Sequence, residues 1–508
     1  MKNFMSMIEN ETKKTMTLTE NGALAYETSG KKLLDFMFAV TALRGCSEKG
    51  IMDKFTGVYF ENPMIANKFA FYLRDIRGGV GERKIFRAYL RWLAENKPEV
   101  AKAIISLVPE YGRIDDLWCL LDTNLKDDVC AWAKRQIEMD IEAVENGKPA
   151  SLAAKWMPSC NTSSKETRRY AEIIRNYLGL TPRQYRKTLV TLRAYLDVVE
   201  VKTSSNRWGE IDYEKVPSQA NIKYSNAFNA HDGERRSEYL ESLKNGTAKI
   251  NASVLAPHEI VTKYVKPHGW NVDVDGYDEA IEQLWKALPS KSIDNTLVVR
   301  DGSGSMCNGY ATKVRPIDVA TALAVYTADH NTGIWKDKFI TFSSRPKFID
   351  LGNCETLHDK LIKTYHEDDC SNTDIESTMM LILKTAINNH CSQEDMPKSV
   401  LILSDMQFDH ATMHRGFEMK SLFDNIAETY RQSGYKLPKI IFWNLSGAVN
   451  NTIPMQENEL GLVLMSGFSV HLLDMVMSGK TDPYEVILET LNSQRYLPVE
   501  LAVRDVVS

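Results

Sequence analysis

Apolar positions along this chain follow two different periods, and the change falls near residue 290. From about 60 to 285, apolar residues recur at spacings of three and four, the pattern of helices that bury one stripe. MIANKFAFYLRDI (64–76), ERKIFRAYLRWLAEN (82–96), KETRRYAEIIRNYL (165–178) and PRQYRKTLVTLRAYLDVVE (182–200) are predicted helices. Thr181 and Pro182 supply a cap and a first-turn proline for the last of them. With no strand-like run between them, these helices are expected to pack on one another as an irregular bundle or an α-solenoid. No exact internal repeat is found.

After KALPSKSIDN (286–295) apolar runs of strand length alternate with helical stretches: TLVVR (296–300), DKFITF (337–342), PKFIDL (346–351), SVLILSD (399–405), KIIFWNL (439–445) and GLVLMSGF (461–468). Continuously apolar strands separated by helices predict a doubly wound, largely parallel sheet covered on both faces. The expected architecture is therefore multidomain, with an all-α domain over 1–288 and an α/β domain over 289–508. In doubly wound sheets ligands bind beyond the carboxyl ends of the strands. Asp301 closes one strand and Asp405 closes another.

The first of those ends reads TLVVRDGSGSMCNGY (296–310). A glycine-rich loop is free to turn Asp301, Ser303 and Ser305 toward one point. It contains neither GxxxxGK[ST] nor GxGxxG for phosphate, and no GxSxG nucleophile elbow. A phospho-accepting aspartate calls for further acids and a lysine at the same end, and a plain Gly/Ser turn without ligand is the simplest alternative. One carboxylate and two hydroxyls suit a hard cation such as Mg²⁺, with no His or Cys to favour zinc. No general base or nucleophile accompanies them, so a docking site and not an enzyme is expected.

Charge changes the picture locally. Lys+Arg against Asp+Glu is 42 to 39 over residues 1–290 and 20 to 28 over 291–508, so a net charge of −5 divides into +3 and −8. Residues 151–195 alone carry nine basic and two acidic side chains. Arg168, Arg169, Arg175, Arg183, Arg186, Lys187 and Arg193 are interleaved there with Tyr170, Tyr177, Tyr185 and Tyr195, a mixture that suits single-stranded RNA. A second basic stretch, FYLRDIRGGVGERKIFRAYLRWL (71–93), offers Arg74, Arg77 and Arg83 as further contacts, unless these pair with Asp75, Glu82 or nearby carbonyls. The acidic run HEDDC (366–370) reads as a solvated loop.

The eight cysteines form no CxxC pair, and no apolar run reaches membrane-spanning length. The N-terminus lacks the apolar core of a signal peptide, so a cytoplasmic protein with reduced thiols and no membrane partner is expected.

Asp301, Ser303 and Ser305, followed by Thr373 in SNTDIES and Asp405 in LILSDMQF, resemble the metal-ion-dependent adhesion site of von Willebrand factor A (vWA) domains. Ser371, Asp374 and Ser377 stand near enough in sequence to replace Thr373. That resemblance implies a Rossmann-like domain whose Mg²⁺ keeps an open position for a partner's carboxylate. TENGALAYETSGKKLLDFMF (19–38), RDIRGGVGERKIFR (74–87), AAKWMPS (153–159), YRKTLVTLRAYLDVVE (185–200) and VPSQANIKYSNAFNAHDGERR (216–236) resemble helical-plus-vWA proteins related to the TROVE, or Ro autoantigen, family. The resemblance implies HEAT-like helical repeats that bind noncoding or single-stranded RNA in a ribonucleoprotein. The alternative is a metal-dependent protein-docking scaffold without RNA.

Overall fold

The computed structural model of the protein describes residues 16–18, 24–26, 28–268, 271–290, 292–308, 314–342, 346–367, 375–406, 419–445, 462–469, 472–473 and 482–507. The chain forms two compact units: Met1–Gly50 with Leu255–Thr490, and Ile51–Val254 with Leu491–Ser508. This partition corrects the expected division at 288/289, because each unit recruits a segment from the far end of the chain.

The first unit is built on a six-stranded sheet. In chain order the described strands are β1 (Met16–Leu18), β2 (Leu24–Tyr26), β3 (Val265–His268), β4 (Asn271–Val274), β5 (Thr296–Asp301), β6 (Lys338–Phe342), β7 (Phe348–Asp350), β8 (Ser399–Ser404), β9 (Lys439–Asn444) and β10 (Leu462–Ser466). The sheet runs in the order β10-β9-β8-β5-β6-β7, with only β7 antiparallel to its neighbour. Every position of β5 and β8 is buried, so their uninterrupted apolar runs reflect cover on both faces. Leu297 and Val299 face a core shared with Val400, Ile402, Phe442 and the helix Ile375–Asn388. Arg300, pointing the other way, is buried and donates from Nε to Thr321 Oγ1 of the helix Pro316–His330 at 2.9 Å.

The N-terminal helix Lys32–Leu43 belongs to this unit. Phe38 enters the sheet core, and Thr41 Oγ1 lies 2.7 Å from Ser466 Oγ of β10. Two antiparallel ribbons, β1–β2 and β3–β4, also lie upstream of residue 290, where only helices were expected. In the second ribbon Val272 and Val274 alternate with polar residues as a strand requires. Its four-residue strands and Pro267 hid it from a periodicity reading.

The second unit is helical throughout its described residues. Asn62, Ser164 and Thr181 cap helices through side-chain oxygens, and Thr181 with Gln184 completes a reciprocal box. Its C-terminal segment is anchored by Asp75, which is fully buried. Arg495 clamps that carboxylate through Nε and Nη2, and Tyr496 OH donates to it at 3.0 Å. Gly79 makes the turn before this clamp possible, since Val80 N and Glu82 N return to the carbonyls of Tyr72 and Leu73. A Cβ at Gly79 would stand 2.0 Å from Tyr72 O. Gly79→Ala is therefore expected to cost the helical unit about 3 kcal/mol, the upper end of overpacking, measured by urea unfolding; a loss under about 0.5 kcal/mol would contradict that packing.

Candidate metal centre and nucleic-acid interface

The chain leaves β5 toward β6 on one side and later returns to β8 on the other, so the strand order reverses between β5 and β8. A crevice opens at the carboxyl ends of such a strand pair. The parallel register Arg300↔Leu403 carries forward to set Asp301 opposite Ser404, with Asp405 one residue further on. Ser404 Oγ donates to Asp301 Oδ2 at 2.5 Å, and Ser303 N donates to Asp301 Oδ1 at 2.8 Å. Ser303 Oγ and Ser305 Oγ are 3.1 Å apart. The structure thus brings Asp301, Ser303, Ser305 and Asp405 to one strand end. Thr373 lies outside the described residues, as do Ser371 and Asp374. Ser404 was missed in the sequence because, as a strand residue inside LILSD, it carried no loop signal.

Asp301 and Asp405 are both buried. Burial, then the charge of Asp405, pushes the Asp301 carboxyl up to about 7, despite hydrogen bonds from Ser404 and Ser303 that favour its ionised form. Directly after Asp405, Met406 takes φ +63 and its N–H donates to Ser404 Oγ at 3.0 Å. A left-handed non-glycine residue is an uncommon conformation, and here it turns the chain sharply at the strand end. Two apposed carboxylates beside hydroxyl oxygens form a hard, oxygen-only donor set that fits a Mg²⁺-like cation. Among the described residues no three His, Cys, Asp or Glu side chains gather as a cation cage, so hydroxyls must complete any such site.

The basic candidates of the helical unit separate into two kinds. Arg74 is 3 % exposed and bonds Asp116 Oδ2 at 2.7 Å. Arg83 and Arg87 reach Asp115 and Asp116, and Arg113 bonds Asp115 at 2.7 Å. Arg113 also stacks on Trp156, its guanidinium 4.1 Å from the ring centre. The 74–87 motif is thus chiefly a structural hub, and Arg74 and Arg83 leave the RNA-contact set because carboxylates already hold them. Arg77 remains exposed, its Nη1 donating to Glu110 O at 2.8 Å and to no other acceptor among the described residues.

In the second cluster Arg168 holds the carbonyls of Thr162 and Ser163, and Arg175 holds Leu180 O at 2.8 Å. Arg193 bonds Ala154 O, Met157 O and Ser159 Oγ at 2.7–3.0 Å. Arg169 is exposed but pairs with Asp122 at 2.6 Å. Arg183, Arg186 and Lys187 are exposed and bond nothing among the described residues. Tyr170 and Tyr185 are core residues, the latter 1 % exposed, so only Tyr177 and Tyr195 of the interleaved tyrosines present surface. The local excess of basic residues singled out this segment, but the carbonyls that hold Arg168, Arg175 and Arg193 were invisible to it.

The fold defines a doubly wound α/β unit with an oxygen-rich strand end, together with a separate helical unit. Residues 295–495 match the family described as "Domain of unknown function (DUF7788)". Residues 19–110 and 162–295 match "Domain of unknown function (DUF2828)". Over 525 residues the chain is 29% identical to uncharacterized protein L728 of Acanthamoeba polyphaga mimivirus, covering 95% of this chain and 88% of that protein. Among solved structures it is similar to the Ro (RSR) protein of Deinococcus radiodurans at 13% identity, with a TM-score of 0.49, over 91% of this chain and 99% of that one. No helix among the described residues is long and apolar enough to cross a membrane, and the described cysteines form no disulfide.

Proposed function

We propose that this is a Ro-like, vWA-containing RNA-binding protein without enzymatic activity. Its helical unit binds noncoding or single-stranded RNA, and its sheet unit docks a protein partner through Mg²⁺. The observation that carries the RNA reading is the row Arg183, Arg186 and Lys187, three exposed cations on one helix with no carboxylate partner among the described residues. Cations already neutralised by Asp or Glu release few counterions on meeting a phosphate, whereas free ones drive binding. The TROVE-like segments at 153–159 and 185–200 flank or include this row.

At the sheet, Asp301, Ser303, Ser305 and Asp405 would hold the ion, with Ser404 orienting Asp301. A bound Mg²⁺ supplies positive charge to the carboxylate pair and accepts an oxygen donor from the partner. The same oxygen-only cluster favours a second reading, a metal-dependent docking scaffold without RNA. Protein purified at low salt is expected to carry nuclease-sensitive nucleic acid, seen as a raised 260/280 nm absorbance ratio that falls after RNase and not after DNase. A ratio that nuclease leaves unchanged, together with no binding of added RNA, favours the scaffold.

A further inference from the structure

A cleft of about 470 Å³ runs along one face of the helix Pro182–Tyr195, against the loop at Ser159–Asn161. This volume lies within the range of small-ligand sites, roughly 300–1,000 Å³. Pro182 and Val190 give it exposed apolar surface over the buried Tyr185 and Leu189, and Arg183, Arg186 and Arg193 are its charged groups. Among the described residues no carboxylate lines it.

Arg193 is partly buried, and its three recorded bonds go to two carbonyls and a hydroxyl, so its charge meets no counter-charge in an ion pair among the described residues. Arg183 and Arg186 likewise bond nothing there. Three positive charges around a cleft with apolar walls focus a field that attracts an anion. The apolar surface asks that the same ligand present a flat, weakly hydrated part. A phosphate attached to a nucleobase meets both demands, and the helix N-terminus at Pro182 adds its dipole in the same sense.

We propose that this cleft takes a single nucleotide, a splayed-out unit of single-stranded RNA whose base lies against Val190 and whose phosphate is held by Arg183 and Arg186, with the charge of Arg193 fixed in the cleft wall. The proposal rests on the RNA reading but assigns it a discrete pocket. Cations on a surface alone require only a phosphate track; a cleft with apolar walls selects for a base as well.

The test uses the full chain and three probes: adenosine 5′-monophosphate, adenosine and inorganic phosphate, each followed by calorimetry. The monophosphate is expected to bind one per chain, at least tenfold tighter than either fragment. Val190 is 55 % exposed, so Val190→Trp fills the cleft without disturbing the core or removing charge. It is expected to abolish monophosphate binding and to weaken a single-stranded RNA about tenfold, on the order of one base stack, while leaving the salt dependence of RNA binding unchanged. Arg186→Gln should instead weaken both ligands and flatten the salt dependence. Inorganic phosphate binding as tightly as the monophosphate overturns the proposal, as does wild-type behaviour of Val190→Trp toward both ligands. Displacement of the monophosphate by an acidic peptide at equal concentration assigns the cleft to a protein and overturns it too. If RNA binds but the monophosphate does not, the pocket fails and the RNA reading survives. If the monophosphate binds and RNA does not, the RNA reading fails and the cleft is a site for free nucleotide.

Discussion

Replacing Asp116 by asparagine is expected to lower the stability of the helical unit by about 3–5 kcal/mol, the cost of breaking a buried ion pair from one side. Asp116 is fully buried and accepts from Arg74 at 2.7 Å, Arg87 at 2.8 Å and Arg83 at 3.0 Å. Arg113 N also donates to it at 3.0 Å. Burial alone would raise its carboxyl, but the guanidiniums of Arg74 and Arg87 overcome that and hold it at about 2. The asparagine leaves Arg74 buried without its counter-charge. Asp115 is part-exposed and its main partner Arg113 is nearer to water, so Asp115→Asn is expected to cost about 1 kcal/mol or less.

The pH dependence follows in sign. Because the folded carboxyl of Asp116 lies below its unfolded value of about 4, its contribution is complete above pH 4 and is lost as pH falls toward 2. The wild type should lose roughly 2 kcal/mol more than Asp116→Asn over that interval. Urea unfolding of both proteins at pH 7, 4 and 2 checks this. Equal stability at pH 7 would remove Asp116 from the centre of the hub.

Asp301→Ala is expected to abolish Mg²⁺ binding while preserving the fold. Asp301 is the one proposed ligand that ends β5, and Ser303 N and Ser404 Oγ both orient its carboxylate. The single remaining carboxylate, Asp405, with serine hydroxyls binds Mg²⁺ too weakly to compete with water. In the wild type, Mg²⁺ at about a hundredfold over its Kd should stabilise the sheet unit by about 2.7 kcal/mol, and the variant should gain nothing. Without metal the order is expected to reverse. Two buried carboxylates repel each other, so removing one makes the metal-free variant as stable as the metal-free wild type or more so. Calorimetric titration with Mg²⁺, paired with thermal unfolding in chelator, measures both effects. Unchanged Mg²⁺ affinity in Asp301→Ala would exclude this site.

The central strands were legible because their chemistry is local. Leu297–Val299 and Val400–Leu403 are buried on both sides, and that makes them read as unbroken apolar runs. The loop Asp301–Ser305 was legible for the same reason, since its oxygens and glycines lie within five residues. What escaped the sequence depended on partners far along the chain. Phe38 joins the sheet core and Arg495 clamps Asp75, contacts that no period encodes, so the boundary between the units was misplaced. Arg74 and Arg186 both lie in basic stretches, but the first is buried against Asp116 and the second is exposed with no carboxylate partner among the described residues. Tyr185 resembled a stacking platform until its hydroxyl was found bonded to Pro158 O at 3.0 Å.

The central claim is that free cations of the helix Pro182–Tyr195 bind single-stranded RNA, and its most direct test is the salt dependence of that binding. Fluorescence anisotropy of a tailed RNA should be followed between about 50 and 200 mM salt for the wild type and for Arg183→Glu/Arg186→Glu/Lys187→Glu. The wild type is expected to bind with a steep negative slope of log affinity against log salt. The triple variant should bind much more weakly, with a slope shallower by about 2, since each lost phosphate contact removes about 0.7 for a single strand. Equal slopes and affinities for the two proteins, or no binding by the wild type at the lowest salt, would contradict the claim.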